Sequence, residues 1–214
     1  MTTQNPHYSA TYFSFQKRIG QFGARWQFHY FKDFIKSTDT VLEFGCGGGY
    51  LLDLINAHKK IGIEVNPVAI AQAKKKGLTI YQDARDMPAA STDVVISNSA
   101  LEHVDEPLLE LQKLHRALKK NGRIILNVPN EREWLWKPHD INQHLYTWSQ
   151  MSLGNLFTRA GFEVISINYS YDRWPPIGYL QLHALVGDTI FRWICNIWGL
   201  FDCDIVQLKI VAKK

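Results

Sequence analysis

The chain has 214 residues, 46% of them hydrophobic and 21% charged, with a formal net charge of +4. This length and composition suit one domain of ordinary size with room for a substantial core, and they exclude a collagen-like, disordered or disulfide-stapled chain. The charge does not argue for a nucleic-acid partner, because Lys74-Lys75-Lys76 and Lys119-Lys120 fall where two predicted helices end and the helix dipole alone favours cations there.

Met1 to His7 are polar and read as a frayed end. From Tyr8 to Lys36 the apolar residues Tyr12, Phe15, Ile19, Phe22, Trp26 and Tyr30 recur in steps of three and four, which describes one helical face that Gly20 and Gly23 weaken and could divide. The strand-like Val41-Leu42 runs through Glu43-Phe44, breaks into Gly45-Cys46-Gly47-Gly48-Gly49 and gives way to a helix from Leu51 to about Ala57. Glycines let the backbone turn with positive φ and let a ligand come close, while a helix start offers free amide N–H groups to an electronegative group. The spacing narrows the ligand. A dinucleotide fingerprint needs glycine at its first, third and sixth positions, but the sixth position is Tyr50 counted from Gly45 and Leu52 counted from Gly47. No Gly-Lys-Ser/Thr follows either, so a triphosphate-cradling loop is excluded.

The remaining pattern, acid-x-Gly-x-Gly-x-Gly on Glu43, Gly45, Gly47 and Gly49, resembles motif I of the Rossmann-like S-adenosylmethionine-dependent methyltransferases. The resemblance implies S-adenosylmethionine as cofactor and S-adenosylhomocysteine as product, with Glu43, Gly45, Cys46, Gly47 and Gly49 under the methionine part. It also implies an α/β fold with a doubly wound, mostly parallel seven-stranded sheet of order 3-2-1-4-5-7-6, its last strand antiparallel. The whole of 1–214 then forms a single methyltransferase domain, with a core over 40–169. Residues 8–36 would be a helical cap closing over the cofactor; periodicity alone fits a helix packed on the sheet equally well.

A short strand, Ile61 to Glu64, precedes a helix that opens with Asn66-Pro67 and stops at Gly77. Glu64 ends the second strand about twenty residues past the glycine turn, where a carboxylate accepts both hydroxyls of a ribose; Val65 lies beside it. A third strand, Leu78 to Gln82, leads into Asp83-Ala84, which the resemblance places at the adenine amino group and ring, with Asp86 as a second acidic candidate. The fourth strand, Asp93 to Ser97, is apolar on both faces and delivers Asn98, a further cofactor candidate, to the carboxyl edge of the sheet. Neither Asp/Asn-Pro-Pro-aromatic nor a Pro-Cys nucleophile follows, which removes most support for base-modifying enzymes.

Leu101-Glu102-His103-Val104 resembles the Leu-Glu-His-Val stretch of small-molecule methyltransferases related to the ubiquinone and menaquinone biosynthetic enzymes. His103 is a candidate proton acceptor for a hydroxyl nucleophile, the alternative being a histidine that merely hydrogen-bonds its loop. The next helix starts at Asp105 to Pro107 with Leu108, Leu111, Leu114 and Leu118 as its core stripe, and Asn121-Gly122 turns into a strand from Arg123 to Val128 that Pro129-Asn130 ends. Glu131 to Thr147 reads as a loop dense in aromatics and histidine: Trp134, Trp136, His139, His144 and Tyr146. His144 through Ser149 resembles the family's His-x-x-aromatic-Ser/Thr stretch, which makes His144 the second catalytic candidate. His139, Asp140 and His144 are metal-ligand types, but their spacing in a loop without a supporting cysteine is weak, and no metal is expected.

A helix from Ser149 to Ala160, a strand from Glu163 to Tyr169 and a last strand from Ile205 to Ala212 complete the expected sheet. Between them lies an aromatic helical insertion, 170–204, whose Leu180, Ala184, Gly187, Phe191, Ile194, Trp198 and Phe201 form a continuous helical seam. It reads as an active-site lid, a homodimer interface or a helix on a membrane surface, contact running through 177–201. Cys46, Cys195 and Cys203 show no paired spacing and no basic-then-apolar leader is evident, which together suggest a cytoplasmic protein. The expected reaction is methyl transfer to a small molecule, at a hydroxyl oxygen of an aromatic, quinone-like, lipid-like or saccharide metabolite, with no nucleic-acid partner. The alternatives are an RNA or protein methyltransferase and an inactive S-adenosylmethionine-binding partner protein.

Overall fold

The apolar runs line up as seven strands, β1 Thr40–Phe44, β2 Lys59–Ile63, β3 Thr79–Tyr81, β4 Thr92–Asn98, β5 Leu118–Glu131, β6 Glu163–Ser170 and β7 Ile205–Lys213. The computed structural model describes residues 10–132, 135–138, 140, 142–171, 173–175, 177–201 and 205–214, without the side chains of 10–16, 18 and 205. The sheet has the expected order, β3-β2-β1-β4-β5-β7-β6. Its first five strands pair in parallel, and β7 runs antiparallel between β5 and β6. Among the described residues six α-helices surround it: α1 Ala10–Gln27, α2 Tyr50–Leu54, α3 Pro67–Lys75, α4 Pro107–Ala117, α5 Gln150–Arg159 and α6 Tyr179–Phe201.

Period-two alternation sorts the central strands into two apolar layers. Leu42, Val95, Ile124 and Ile210 pack with Leu114 of α4 and Phe157 of α5, whereas Val41, Ile96, Ile125 and Val211 pack with Leu52 of α2 and Ala73 of α3. Asn66 caps α3 as expected, its Oδ1 accepting from Val68 N at 2.9 Å, and Ser149 caps α5 in a reciprocal pair with Ser152.

Several boundaries differ from the sequence reading. Helix α2 stops at Leu54 and α4 stops at Ala117, so Leu118 is not the last residue of a helical stripe; it is a fully buried first residue of β5. Lys119 therefore owes nothing to a helix end. Its Nζ lies 2.8 Å from Asp93 of the neighbouring strand, and Asn121, at φ +64°, falls in a bulge where the β4–β5 register shifts. Strand β5 also continues through Pro129 to Glu131. Its parallel pairing with β4 ends at Asn127 while pairing with β7 goes on, so the missing proline N–H costs no bond to β4.

Helix α1 is not divided at Gly20 or Gly23; those positions give room to the rings of Tyr50 and Trp174. Tyr12 and Phe15 lie outside the described side chains, but Phe22 and Trp26 pack against α6. With Trp174, Tyr179, Phe191 and Cys195 they form a third core, separate from the two sheet layers. The expected continuous seam of α6 is broken, because Gly187 adopts φ 74°, ψ 173° and interrupts the helix. Beyond the break the buried side is Phe191, Cys195 and Gly199, while Trp198 is 40% and Phe201 85% exposed. There the helix thus turns Cys195 and Gly199 inward beside Phe191, and Trp198 and Phe201 outward. No described helix is long and apolar enough to cross a membrane.

Phe191 is fully buried in this third core, edge-on to Trp26 at a 5.1 Å ring separation. Phe191→Ala is expected to cost about 3 to 5 kcal/mol locally. Limited proteolysis should then cut α6 before the sheet unfolds, and a variant as resistant as the parent would disprove that α6 is anchored there.

A polar latch ties the same two helices. Arg192 Nη1 lies 2.9 Å from His29 Nδ1 and 3.0 Å from Nε2; because Nδ1 donates to the Trp26 carbonyl at 2.6 Å, Nε2 is the nitrogen that can accept from Arg192, whose guanidinium lies 4.3 Å from the Trp26 ring. Burial, with the nearby charges of Arg192, Lys209 and Lys32, holds the His29 pKa down at about 4 against the Trp26 bond. The unfolded chain takes up a proton near pH 6.5 that the folded chain refuses, so this contribution to stability is full above pH 6.5 and lost as pH falls toward 4. Thermal melts from pH 7.5 to 4.5 should show a steeper fall for the parent than for His29→Gln.

Candidate active site

The strand–turn–helix read from Val41 to Tyr50 forms as expected, with Gly45, Gly47 and Gly49 at φ 72°, 51° and 71°. Gly45 N and Cys46 N donate to Ile63 O at 3.0 and 3.1 Å, which stitches the turn to the end of β2. A Cβ on Gly45 would run into the Ala100 side chain, whereas one on Gly47 would meet no atom within 4 Å. The turn is therefore packed on one side and open on the other, which leaves bare backbone for a ligand to approach.

Glu64 sits at the end of β2, and its carboxylate is the hub of this edge. Oε2 accepts from Gly47 N at 2.8 Å, and Oε1 accepts from Val65 N and Asn66 N, each at 2.8 Å. Burial raises its pKa against the lowering effect of those amides. Glu43 lies beneath the turn with its carboxyl buried, which pushes its pKa up, as does the charge of Glu64. The Cys46 thiol is buried and raised for the same reasons, Glu43 and Glu64 both adding to the burial effect.

Asp83 is committed elsewhere. Its carboxylate caps a short 3-10 turn by accepting from Arg85 N at 2.7 Å and pairs with the Arg85 guanidinium at 2.7 Å and with Lys113 at 3.3 Å. Those bonds, Arg85 first, hold its pKa at about 2. Buried Ala84 follows it, and Asp86 is exposed. Asn98 Oδ1 accepts from Asn127 Nδ2 at 3.0 Å, so the end of β4 is braced by β5. Lys113, which holds Asp83 from α4, was invisible in the sequence because its partner arrives from thirty residues away.

The two catalytic candidates come together. His103, in the 3-10 turn Leu101–His103, and His144, in the loop after β5, face each other edge-on with ring centroids 4.7 Å apart. Two bonds lock the loops, Leu145 N donating to the Glu102 carbonyl at 2.9 Å and Glu131 N to the Thr147 side-chain Oγ1 at 2.7 Å. Two carboxylates that the sequence reading did not single out complete the group. Glu131 Oε2 accepts from His144 Nδ1 at 2.7 Å. Glu102 is fully buried beside them, neither of its oxygens having a hydrogen-bond partner among the described residues. Burial pushes Glu102 up to about 8. Burial would lower His144, but the bond to Glu131 and the charges of Glu102, Glu131 and Asp140 outweigh it and hold the imidazole above its usual range. Trp134 and His139 lie outside the described residues.

Gly45 packs against Ala100, two residues before Glu102, so the glycine turn and the histidine cluster share one edge of the sheet. That is the carboxyl edge, where open α/β sheets bind ligands.

Residues 18–167 match the family described as a methyltransferase domain. Among curated proteins the chain is similar to an uncharacterized methyltransferase of Schizosaccharomyces pombe, 31% identical over 113 residues, covering 44% of this chain and 43% of that protein. It is also similar to a ubiquinone biosynthesis O-methyltransferase of Pseudomonas paraeruginosa, 32% identical over 104 residues, covering 42% of this chain and 44% of that protein. The chain thus spans less than half the length of these relatives. Among solved structures, a methyltransferase of Thermotoga maritima described as dependent on S-adenosylmethionine superposes with a TM-score of 0.66 at 17% identity, covering 96% of each chain.

Proposed function

The chain belongs to the methyltransferase domain family, and from that premise we propose that it transfers the methyl group of S-adenosylmethionine to a small-molecule acceptor, at a hydroxyl oxygen. The observation that carries this reading is the meeting of two features on one sheet edge: an open glycine turn tied to Glu64, and a cluster of acid–base side chains reached across the Gly45–Ala100 contact. Bound cofactor supplies a methyl group already made electrophilic by its sulfonium. The protein's task is to orient the acceptor, exclude water and take up a proton.

Glu64 and the Gly47 backbone suit the ribose and methionine parts, and Asn98 at the end of β4 and buried Ala84 are kept as candidates for the rest of the cofactor. Because Asp83 is held by Arg85 and Lys113, exposed Asp86 is the freer carboxylate for the adenine amino group. With Nδ1–H of His144 held by Glu131, its Nε2 is left as the proton acceptor. The exposed apolar side chains Ile190, Trp193, Ile197, Leu200 and Phe201 are where we place the partner contact read from the sequence.

Incubating the protein with methyl-labelled S-adenosylmethionine and separate metabolite, lipid, RNA and protein extracts tests the assignment. Label is expected in an alkali-stable methyl ether of the metabolite or lipid pool. Label confined to RNA or protein would refute the small-molecule reading, and cofactor binding without transfer to any pool would favour an inactive partner protein.

A further inference from the structure

We propose that Glu102, His103 and His144 are the protein ligands of a divalent-cation site, suited to a cation that accepts mixed imidazole and carboxylate ligands such as Zn2+ or Mn2+, beside the methyl-transfer site. Each residue offers one ligand atom, and all three atoms lie within 4.8 Å of one another. Bonds of about 2.0 to 2.2 Å in a tetrahedral arrangement put ligand atoms about 3.3 Å apart, so modest side-chain rotations close the set around one ion. The loops bearing them are already fixed to each other by the Leu145–Glu102 backbone bond.

The second observation is Glu102 itself. Its side chain is fully buried, and neither carboxyl oxygen meets a hydrogen-bond partner among the described residues. Buried carboxylates are otherwise paired, hydrogen-bonded or bound to metal. A cation between Glu102 and the two imidazoles satisfies it directly. The third is Glu131, which holds His144 Nδ1 at 2.7 Å and so presents Nε2 outward; a carboxylate on the far nitrogen is the usual support of a metal-bound histidine.

Two imidazoles and one carboxylate favour Zn2+ or Mn2+ over Mg2+, which prefers oxygen donors. Three protein ligands leave a position open, and at this edge of the sheet it would face an oxygen of the acceptor; with the ion bound, the His144 Nε2 assigned above to proton uptake serves as a ligand instead, and the cation acidifies the acceptor hydroxyl, whose proton passes to water. The set differs from the His139, Asp140 and His144 group weighed in the sequence by including Glu102 and His103, which only the fold brings to His144.

The test uses the full chain, stripped with chelator and titrated by calorimetry with Zn2+, Mn2+ and Mg2+, with Co2+ absorption as the spectroscopic readout. One equivalent of Zn2+ or Mn2+ per chain is expected, with Co2+ bands typical of nitrogen and oxygen ligands. Glu102→Gln, which keeps the volume, and His144→Ala should each weaken binding at least 100-fold, and Glu131→Gln by 10- to 100-fold. His183→Ala, at the separate His183–Asp188 pair of α6, should bind as the parent does. Circular dichroism melts verify folding, and His144→Ala, in a loop, decides the matter where Glu102→Gln fails to fold. No stoichiometric binding by the folded parent, a preference for Mg2+, or unchanged binding in both Glu102→Gln and His144→Ala would overturn the site. Binding is read without any acceptor, so this failure is distinguishable from failure of the methyl-transfer reading.

Discussion

Glu64→Ala is expected to weaken S-adenosylmethionine binding by about 1.5 to 3 kcal/mol, a 10- to 150-fold rise in Kd by calorimetry. Two effects add. The ribose hydroxyls lose a charged acceptor, and the amides of Gly47, Val65 and Asn66 lose theirs, so the glycine turn is no longer tied to the end of β2. S-adenosylhomocysteine should lose affinity in parallel, because neither effect involves the methyl group. Glu64→Gln keeps one acceptor oxygen and should fall between parent and alanine. Equal affinity in parent and Glu64→Ala would move the ribose contact to another residue.

Gly45→Ala is expected to destabilise the fold by about 2 to 4 kcal/mol in urea titrations, combining the penalty of a side chain at positive φ with overpacking. The backbone stands at φ +72°, and the new methyl would run into Ala100. Pairing it with Ala100→Gly separates the parts. The double variant should recover the packing loss and keep the backbone loss, giving a coupling of about 1 to 2 kcal/mol. Gly47→Ala is the contrasting case: φ is +51° but nothing lies within 4 Å. It should lose less stability than Gly45→Ala and more cofactor affinity, since its methyl projects into the open side of the turn. If both variants bound cofactor normally, the turn would not be the binding surface.

What the sequence could show depended on whether a residue's role was local. The glycine turn, the Asn66 and Ser149 caps and the alternating strands are each decided within a few residues, and they appear where the pattern put them. Glu102 stood inside the quoted Leu-Glu-His-Val stretch, yet its burial depends on a loop that returns from residues 142–149. Glu131 looked like the start of a loop because Pro129 seemed to end β5; pairing with β7, 74 residues later, keeps the strand going to it. Asp83 was read from its position after β3, and Arg85 and Lys113 claim its carboxylate. Gly187 fitted a heptad-like count that tests spacing only, and its left-handed φ breaks the helix.

Strand β7 is made last of the seven yet fills a slot between β5 and β6, with 9 paired positions on the β5 side from Arg123–Lys213 to Glu131–Ile205. During synthesis β5 and β6 therefore leave the ribosome with facing edges unsatisfied, and the sheet stays split until residues 205–213 emerge. A nascent chain of this design stays adhesive until β7 has emerged, and a chaperone that covers the gap between β5 and β6 is expected to raise its yield in the cell.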